Sequence, residues 1–225
     1  MADLKAGFIE FALAHGVLRF GEFVTKAGRK SPYFFNAGHF SRGAVLARLA
    51  GFYADALLAA RAAGRLDFDM LFGPAYKGIV LASATAVALA QRDLDMPFAY
   101  NRKEAKDHGE GGMLVGAPLQ GRVLVIDDVI SAGTSVRESV ALIRAAGGIP
   151  AGVVVAIDRM ERSGPDDALS ARSAVQEIED AYAMPVVAIA TLDDLLAFVE
   201  SGSAAAEQVR PWRGAVAAYR SRYGA

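Results

Sequence analysis

The chain has 225 residues, 53% of them hydrophobic, and 24 basic against 25 acidic side chains give a formal net charge of −1. That is long enough for one full core, too apolar for a disordered chain, and too evenly charged to point to nucleic acid or an anionic membrane. No cysteine is present, which excludes disulfides, thiol catalysis and thiolate metal sites, and with neither a signal-like N-terminus nor an uninterrupted apolar run of spanning length the expectation is a soluble, cytoplasmic protein.

Leu4, Phe8, Phe11 and Ala12 recur at helical spacing and Gly16 supplies a stop, which predicts an amphipathic helix over residues 3–16. Residues 17–25 hold strand-like pieces, interrupted by the turn residues of Lys26-Ala-Gly-Arg-Lys-Ser-Pro. Ser31-Pro-Tyr-Phe-Phe-Asn36 is an aromatic run. Leu46, Leu49, Phe52, Tyr53, Ala56 and Leu57 predict a helix over 42–63, stopped by Gly64. A short strand at 68–72 runs into Gly73-Pro-Ala-Tyr-Lys-Gly78, a helix covers 79–90, and a strand follows at 98–100. Residues 101–115 are polar, charged and glycine-bearing. A strand at 122–127, a helix at 134–146 and a strand at 151–157 ending in Asp158-Arg159 come next. A helix at 168–182, a strand at 186–190 and a helix at 192–199 capped by Thr191 complete the series, and the alanine-rich tail after Gly202 reads as helical through Tyr219.

Strands alternating with helices predict an α/β fold, a mostly parallel sheet flanked by helices on both faces, in one domain over 1–225. Residues 1–40 break the alternation and are expected to cap the sheet as a hood over its C-terminal strand ends. Ligands in such sheets sit beyond the carboxyl ends of the strands. Three of those ends carry unusual polar residues: Gly73-Pro-Ala-Tyr-Lys, Asp127-Asp128 and Asp158-Arg159. They are expected to line one crevice.

The chemistry is densest in Val123-Leu-Val-Ile-Asp-Asp-Val-Ile-Ser-Ala-Gly-Thr-Ser135. Four aliphatic residues read as a strand buried on both faces. Two carboxylates, a small-residue turn and a helix start follow. Turn N–H groups and the positive end of a helix favour a phosphate, and the carboxylates accept hydrogen bonds from sugar hydroxyls or hold a hydrated divalent cation. The stretch also admits a purely structural reading, a polar turn with an acidic cap. The other candidates carry two readings as well. Lys77 is either a surface lysine in a tight turn or a cradle for a diphosphate. Phe34 and Phe35 are core aromatics or a platform for a flat heterocycle, since consecutive residues of an extended run face opposite ways. Arg102, Lys103, Lys106 and His108 belong either to exposed surface or to a basic lid closing on an anionic substrate. Arg159 pairs either with Asp158 or Glu161 or, bidentately, with a substrate carboxylate.

Taken together, residues 127–135, Lys26, residues 31–36, 73–78 and 101–112, and Asp158-Arg159 resemble the orotate phosphoribosyltransferases, of the bacterial homodimeric type, within the type I phosphoribosyltransferase family. The resemblance implies transfer of the phosphoribosyl group of phosphoribosyl diphosphate (PRPP) to orotate, with Mg²⁺ held mainly by PRPP and water near Asp127 and Asp128. It implies PRPP contacts from Lys26, Tyr76, Lys77, Arg102, Lys103, Lys106, His108 and from Asp127, Asp128, Val129, Ile130, Ser131, Ala132, Gly133, Thr134 and Ser135. Of these, Lys26, Arg102, Lys103, Lys106, His108, Asp127 and Asp128 would carry catalysis. Phe34, Phe35, Ser131 and Arg159 would bind orotate, Ser131 standing where the family often has threonine but keeping the hydroxyl. It further implies a homodimer in which a lid loop, 101–113, acts in the neighbouring subunit's site. A transferase for another base would have no use for residues 31–36 and Arg159. A PRPP-sensing regulator on the same fold could lose the lid cations and would usually carry a DNA-binding element.

Overall fold

The computed structural model describes residues 2–25, 28–106 and 112–225, with Ala2, Ala105 and Lys106 described by backbone alone. Its centre is the strand Arg122–Ile126, β6 below. Val123 and Val125 face one apolar layer and Leu124 and Ile126 the other, all four fully buried. Burial of side chains of this size is worth on the order of 2 kcal/mol each, so β6 is fixed in the middle by its own composition.

Around it the elements run α1 (Ala2–Ala14), β1 (Leu18–Val24), β2 (Lys30–Phe35), α2 (Gly43–Ala62), β3 (Met70–Gly73), α3 (Lys77–Ala90), β4 (Phe98–Lys106), β5 (Gly112–Gly116) and β6. Then follow α4 (Thr134–Ala145), β7 (Ile149–Asp158), α5 (Ala174–Tyr182), β8 (Val186–Thr191), α6 (Leu192–Glu200), α7 (Ala204–Val209) and α8 (Arg213–Tyr223). The six-stranded sheet has the order β5-β4-β3-β6-β7-β8, parallel throughout except for β5 against β4. Helices α1, α2, α3, α6 and α8 bury their apolar residues with one face, and α4 and α5 with the other. The expected flanked parallel sheet is therefore present. From β3 the chain moves outward to β4 and β5 and returns to the other side as β6. That reversal opens a crevice between the carboxyl ends of β3 and β6.

The N-terminal segment departs from the alternation as expected. β1 and β2 form a separate antiparallel pair, with Leu18 opposite Phe35 and Phe20 opposite Tyr33. The Thr191 cap is present too, since its hydroxyl accepts from Asp194 N at 3.2 Å while the Asp194 carboxylate accepts from Thr191 N at 2.8 Å.

Three expectations need correction. Most of residues 101–115, expected as a loop, is a hairpin: β4 continues to Lys106 and β5 pairs back on it, Tyr100 with Val115 and Asn101 with Leu114. Pairing of β4 with β3 ends at Tyr100, so beyond that point β4 pairs with β5 alone as a two-stranded arm, with Leu114 at its root packed against the core. The helix expected over 168–182 begins only at Ala174, because Ser173 and Gln176 form a capping box there. The tail is two helices rather than one, broken by a turn at Arg210–Trp212 that contains Pro211, and the second runs past Tyr219 to Tyr223. Helix α2 passes for a membrane span by length and composition, but Arg48, Asp55 and Arg61 interrupt its apolar run, in keeping with the expectation. Leu49, Phe52, Tyr53 and Leu57 are buried in the core, the pattern of a buried helix of a folded domain.

Candidate active site

The turn after β3 is pressed against the end of β6. A Cβ on Gly78 would lie 2.5 Å from Pro74 Cδ and 2.8 Å from the Ile126 carbonyl oxygen, and one on Gly73 would lie 2.1 Å from the Gly78 carbonyl oxygen. Both positions require glycine because two backbones meet there. The Ala75–Tyr76 peptide is cis. The Ala75 N–H donates to Asn101 Oδ1 at 2.9 Å, which ties the turn to the root of the arm. Lys77 then opens α3 and extends across the crevice to Asp128, Nζ to Oδ2 at 2.7 Å. The lysine side chain is 51% exposed and the aspartate 9%.

The turn after β6 carries the two carboxylates. Asp127 Oδ1 accepts from Asp128 N at 2.9 Å, its Oδ2 accepts from the Ser135 hydroxyl at 3.1 Å, and Asp128 Oδ1 accepts from Val129 N at 3.0 Å. Beneath them Tyr53 of α2 donates its buried hydroxyl to the Asp127 carbonyl at 2.9 Å. Burial first, then the neighbouring Asp127 and Asp128 charges, hold that phenol well above its ordinary range, so it stays a donor. Burial and the adjacent Asp128 push the Asp127 carboxyl up to about 6. Gly133 adopts a left-handed conformation, φ +70°, and lets the chain turn into α4 at Thr134. Among the hydrogen bonds of the described residues, none uses the N–H groups of Ser131, Ala132, Gly133, Thr134 or Ser135. They form an open row of donors at a helix start, suited to a phosphate.

These turns border a cavity of about 830 Å³ that the β1–β2 hairpin walls on the far side. Phe34 and Phe35 diverge as the extended backbone requires. Phe34 is half-buried, lines the cavity and stacks on Phe23 at 5.3 Å. The Phe35 ring joins the core, 6.3 Å from Phe8. Ser131 is exposed at the cavity's edge. Arg159, from the end of β7, lies in the wall with its guanidinium 4.9 Å over the Tyr33 ring. Its Nε donates to Glu161 Oε1 at 2.7 Å, so the ion pair with Glu161 is present while the residue also lines the cavity.

The structure thus brings together Lys77, residues 127–135, Phe34 and Arg159. Tyr76 stands apart at 69% exposure, with Lys103 Nζ 5.3 Å above its ring, and Arg102 and Lys103 lie on the arm, pairing with no carboxylate among the described residues. Lys26 and His108 lie outside the described residues, and Lys106 is placed only by its backbone at the end of β4. Tyr53, Tyr33 and the clamp role of Asn101 escaped the sequence reading, and Glu161 entered it only as an ion-pair partner of Arg159. Asn101 opens a segment already singled out, but Tyr53 has the spacing of any core residue of α2.

A divalent cation fits the chemistry of this end of β6. Two adjacent carboxylates, one of them reluctant to ionise beside the other, gain from a positive charge between them. Among the described residues no group of three or more His, Asp or Glu side chains gathers, so the remaining oxygens would come from substrate and water.

The family model of the phosphoribosyl transferase domain matches residues 47–186, more than half the chain. The chain is 65% identical to an orotate phosphoribosyltransferase of Herminiimonas arsenicoxydans over 224 residues, covering all of this chain and 99% of the relative. It is 64% identical to one from Janthinobacterium sp. (strain Marseille), with the same coverage. Among solved structures it is similar to the orotate phosphoribosyltransferase of Francisella tularensis, with a TM-score of 0.82 at 40% identity, over 97% of this chain and 100% of that one.

Proposed function

The chain belongs to the orotate phosphoribosyltransferases of the phosphoribosyl transferase family, and from that membership we propose how its crevice works. The enzyme transfers the phosphoribosyl group of PRPP to orotate, giving orotidine 5′-monophosphate and diphosphate in pyrimidine synthesis. One observation carries the assignment of roles: Lys77 and Asp128 meet at 2.7 Å across the sheet's switch point, beside a cavity walled by Phe34 and Arg159.

Ser131, Ala132, Gly133, Thr134 and Ser135, with Val129 and Ile130 behind them, receive the 5′-phosphate on their free N–H groups and hydroxyls. Asp127 and Asp128 accept the ribose hydroxyls and fix the anomeric carbon against the orotate nitrogen. The cavity beside it takes the base. Phe34 offers its ring face, Phe35 its backbone, Ser131 a hydroxyl at the base edge, and Arg159 a cation for the carboxylate or ring oxygens. Departure of diphosphate leaves oxocarbenium character on the ribose, so the site must stabilise a leaving group that gains negative charge and keep water away. Tyr76 and Lys77 place the turn N–H groups and an ammonium at the leaving group. Lys26, Arg102, Lys103, Lys106 and His108 add further charge as the arm closes. Enzymes of this family generally use Mg²⁺ with PRPP, and that ion would neutralise part of the diphosphate charge.

We read 1–225 as one domain with residues 1–40 as its hood, and the arm at 101–113 as acting in the neighbouring subunit of a cytoplasmic homodimer. In support, the arm leaves the sheet beyond Tyr100 with Arg102 and Lys103 free of ion pairs among the described residues. Diphosphate release should require PRPP and orotate together, and adenine, guanine or uracil in place of orotate should give none above background. Release with another base would overturn the orotate assignment. Mixing a Lys106→Ala protein with an Asp127→Asn/Asp128→Asn protein should restore activity in heterodimers, and inactive heterodimers would count against action in trans.

A further inference from the structure

The C-terminal helix α8 has no part in the roles assigned so far, yet Tyr219 reaches the wall of the base cavity. Its hydroxyl donates to Glu161 Oε1 at 2.8 Å. That same oxygen accepts from Arg159 Nε at 2.7 Å and lies 2.6 Å from Arg159 Nη2. The other carboxylate oxygen, Oε2, is 3.6 Å from Nη1 of Arg29, which is buried and bonded to the carbonyl of Arg162 at 3.0 Å. Glu161 is therefore held from three directions, by Tyr219, by Arg159 and by Arg29. Beneath the Arg159 guanidinium lies the Tyr33 ring at 4.9 Å, and Tyr219 packs edge-on against Tyr33 at 6.0 Å. The loop that carries Glu161 is bonded to the end of α8, Arg162 N to the Tyr223 carbonyl at 2.8 Å and Ala225 N to the Met160 carbonyl at 2.9 Å. The Tyr219 hydroxyl is pushed up to about 12 by burial and by Glu161, so it remains a donor to the carboxylate.

The consequence falls on Arg159. Glu161 occupies the Nε–Nη2 edge of the guanidinium, and among the described residues no hydrogen bond uses Nη1. A carboxylate bound on one edge fixes the plane of the fork and leaves the remaining donors in a set direction. Tyr219 keeps Glu161 on that edge. By sharing the oxygen that Arg159 uses, it also tempers the competition that Glu161 poses to an incoming anion. The geometry points to Tyr219 as a positioning residue for base recognition, acting through Glu161 to aim Arg159 at the anionic substrate. This rests on the assignment of Arg159 to orotate given above.

The test is steady-state kinetics on the full-length Tyr219→Phe and Arg159→Ala proteins and on the double variant, with orotate and PRPP varied separately and Tm recorded for each. Tyr219→Phe keeps the ring packing and removes one hydrogen bond. It should raise the KM for orotate about fivefold, while the KM for PRPP and kcat stay within twofold. Arg159→Ala should raise the KM for orotate further, and adding Tyr219→Phe to it should change nothing more, because the hydroxyl acts only through the arginine. A lowered Tm or kcat with an unaltered KM for orotate in Tyr219→Phe would mean packing alone and would overturn the proposal. So would additive effects in the double variant. An unchanged KM for orotate in Arg159→Ala would overturn the assignment of Arg159 itself, and the role of Tyr219 with it.

Discussion

Replacing Asp127 by asparagine should make the protein more stable and less active at the same time. In the folded chain burial and the Asp128 charge hold the Asp127 carboxyl at about 6, against an ordinary 3.8. The folded state thus binds this proton more tightly than the unfolded state, and stability falls as pH rises from about 4 to about 6 and is flat above. At about 1.4 kcal/mol for each tenfold difference in proton affinity, ionised Asp127 opposes folding by about 3 kcal/mol at neutral pH. Asparagine keeps the shape, an oxygen for the Asp128 N–H and a partner for the Ser135 hydroxyl, and abolishes the charge. Because the burden is shared with Asp128 and eased by solvent, recovery of about 1–2 kcal/mol is expected, a rise in Tm of about 2–8 °C for a chain this long. At pH 4.5 only about a third of the effect should remain, since the folded-state carboxyl is then mostly protonated. Thermal unfolding of both proteins at pH 4.5 and 7.5 measures this directly. An equal shift at the two pH values, or a loss of stability at pH 7.5, would refute the electrostatic account. Turnover should fall, because the charge that destabilises the fold is the one proposed to accept the ribose hydroxyls.

Three further outcomes are expected. Gly78→Ala places a methyl 2.8 Å from the Ile126 carbonyl oxygen and should lower stability by about 2 kcal/mol, read as a lower Tm, while weakening PRPP binding. Asn101→Leu removes the acceptor of the Ala75 N–H and should weaken PRPP binding about tenfold in calorimetric titration, with the KM for orotate unchanged. Lys106→Ala should lower kcat by about 100-fold, roughly 3 kcal/mol of stabilisation, with a smaller loss in PRPP affinity, and an unchanged kcat would remove the arm from the chemistry.

Much of this architecture is legible in the residues because local signals and global placement agree. Val123 to Ile126 are apolar on both faces and therefore central, and Thr191 with Asp194 three residues later marks a helix start. The arm was misread because Arg102, Lys103 and Glu104 look like a solvated loop, and a ribbon past the last contact with β3 is at most half-buried among its described residues, too little to impose a clear period-two apolarity. Ser173 and Gln176 carry a start signal that the helical-looking residues before them obscured. In the site, the groups that follow a strand end were visible, since topology brings such ends together. Those that depend on contact between distant segments were not. Glu161 and Tyr219 lie 58 positions apart, and Tyr53 reaches Asp127 from 74 positions away. Nothing in the spacing of either pair announces the contact.

The hydrogen bond from Ala75 to Asn101 would also set the stroke of the arm in the proposed closure. It pins the root of the arm to a turn that two glycines hold against β6, so the root cannot swing without dragging that turn, the proposed leaving-group cradle, with it. Any motion that leaves the cradle in place must hinge beyond Asn101. The strand that remains free runs from Arg102 to Lys106, which at about 3.3 Å per residue gives a lever of roughly 16 Å. In the closure proposed above, a stationary turn and a short lever anchored beside it would change the distance of the arm's charges from the substrate without changing where the diphosphate sits.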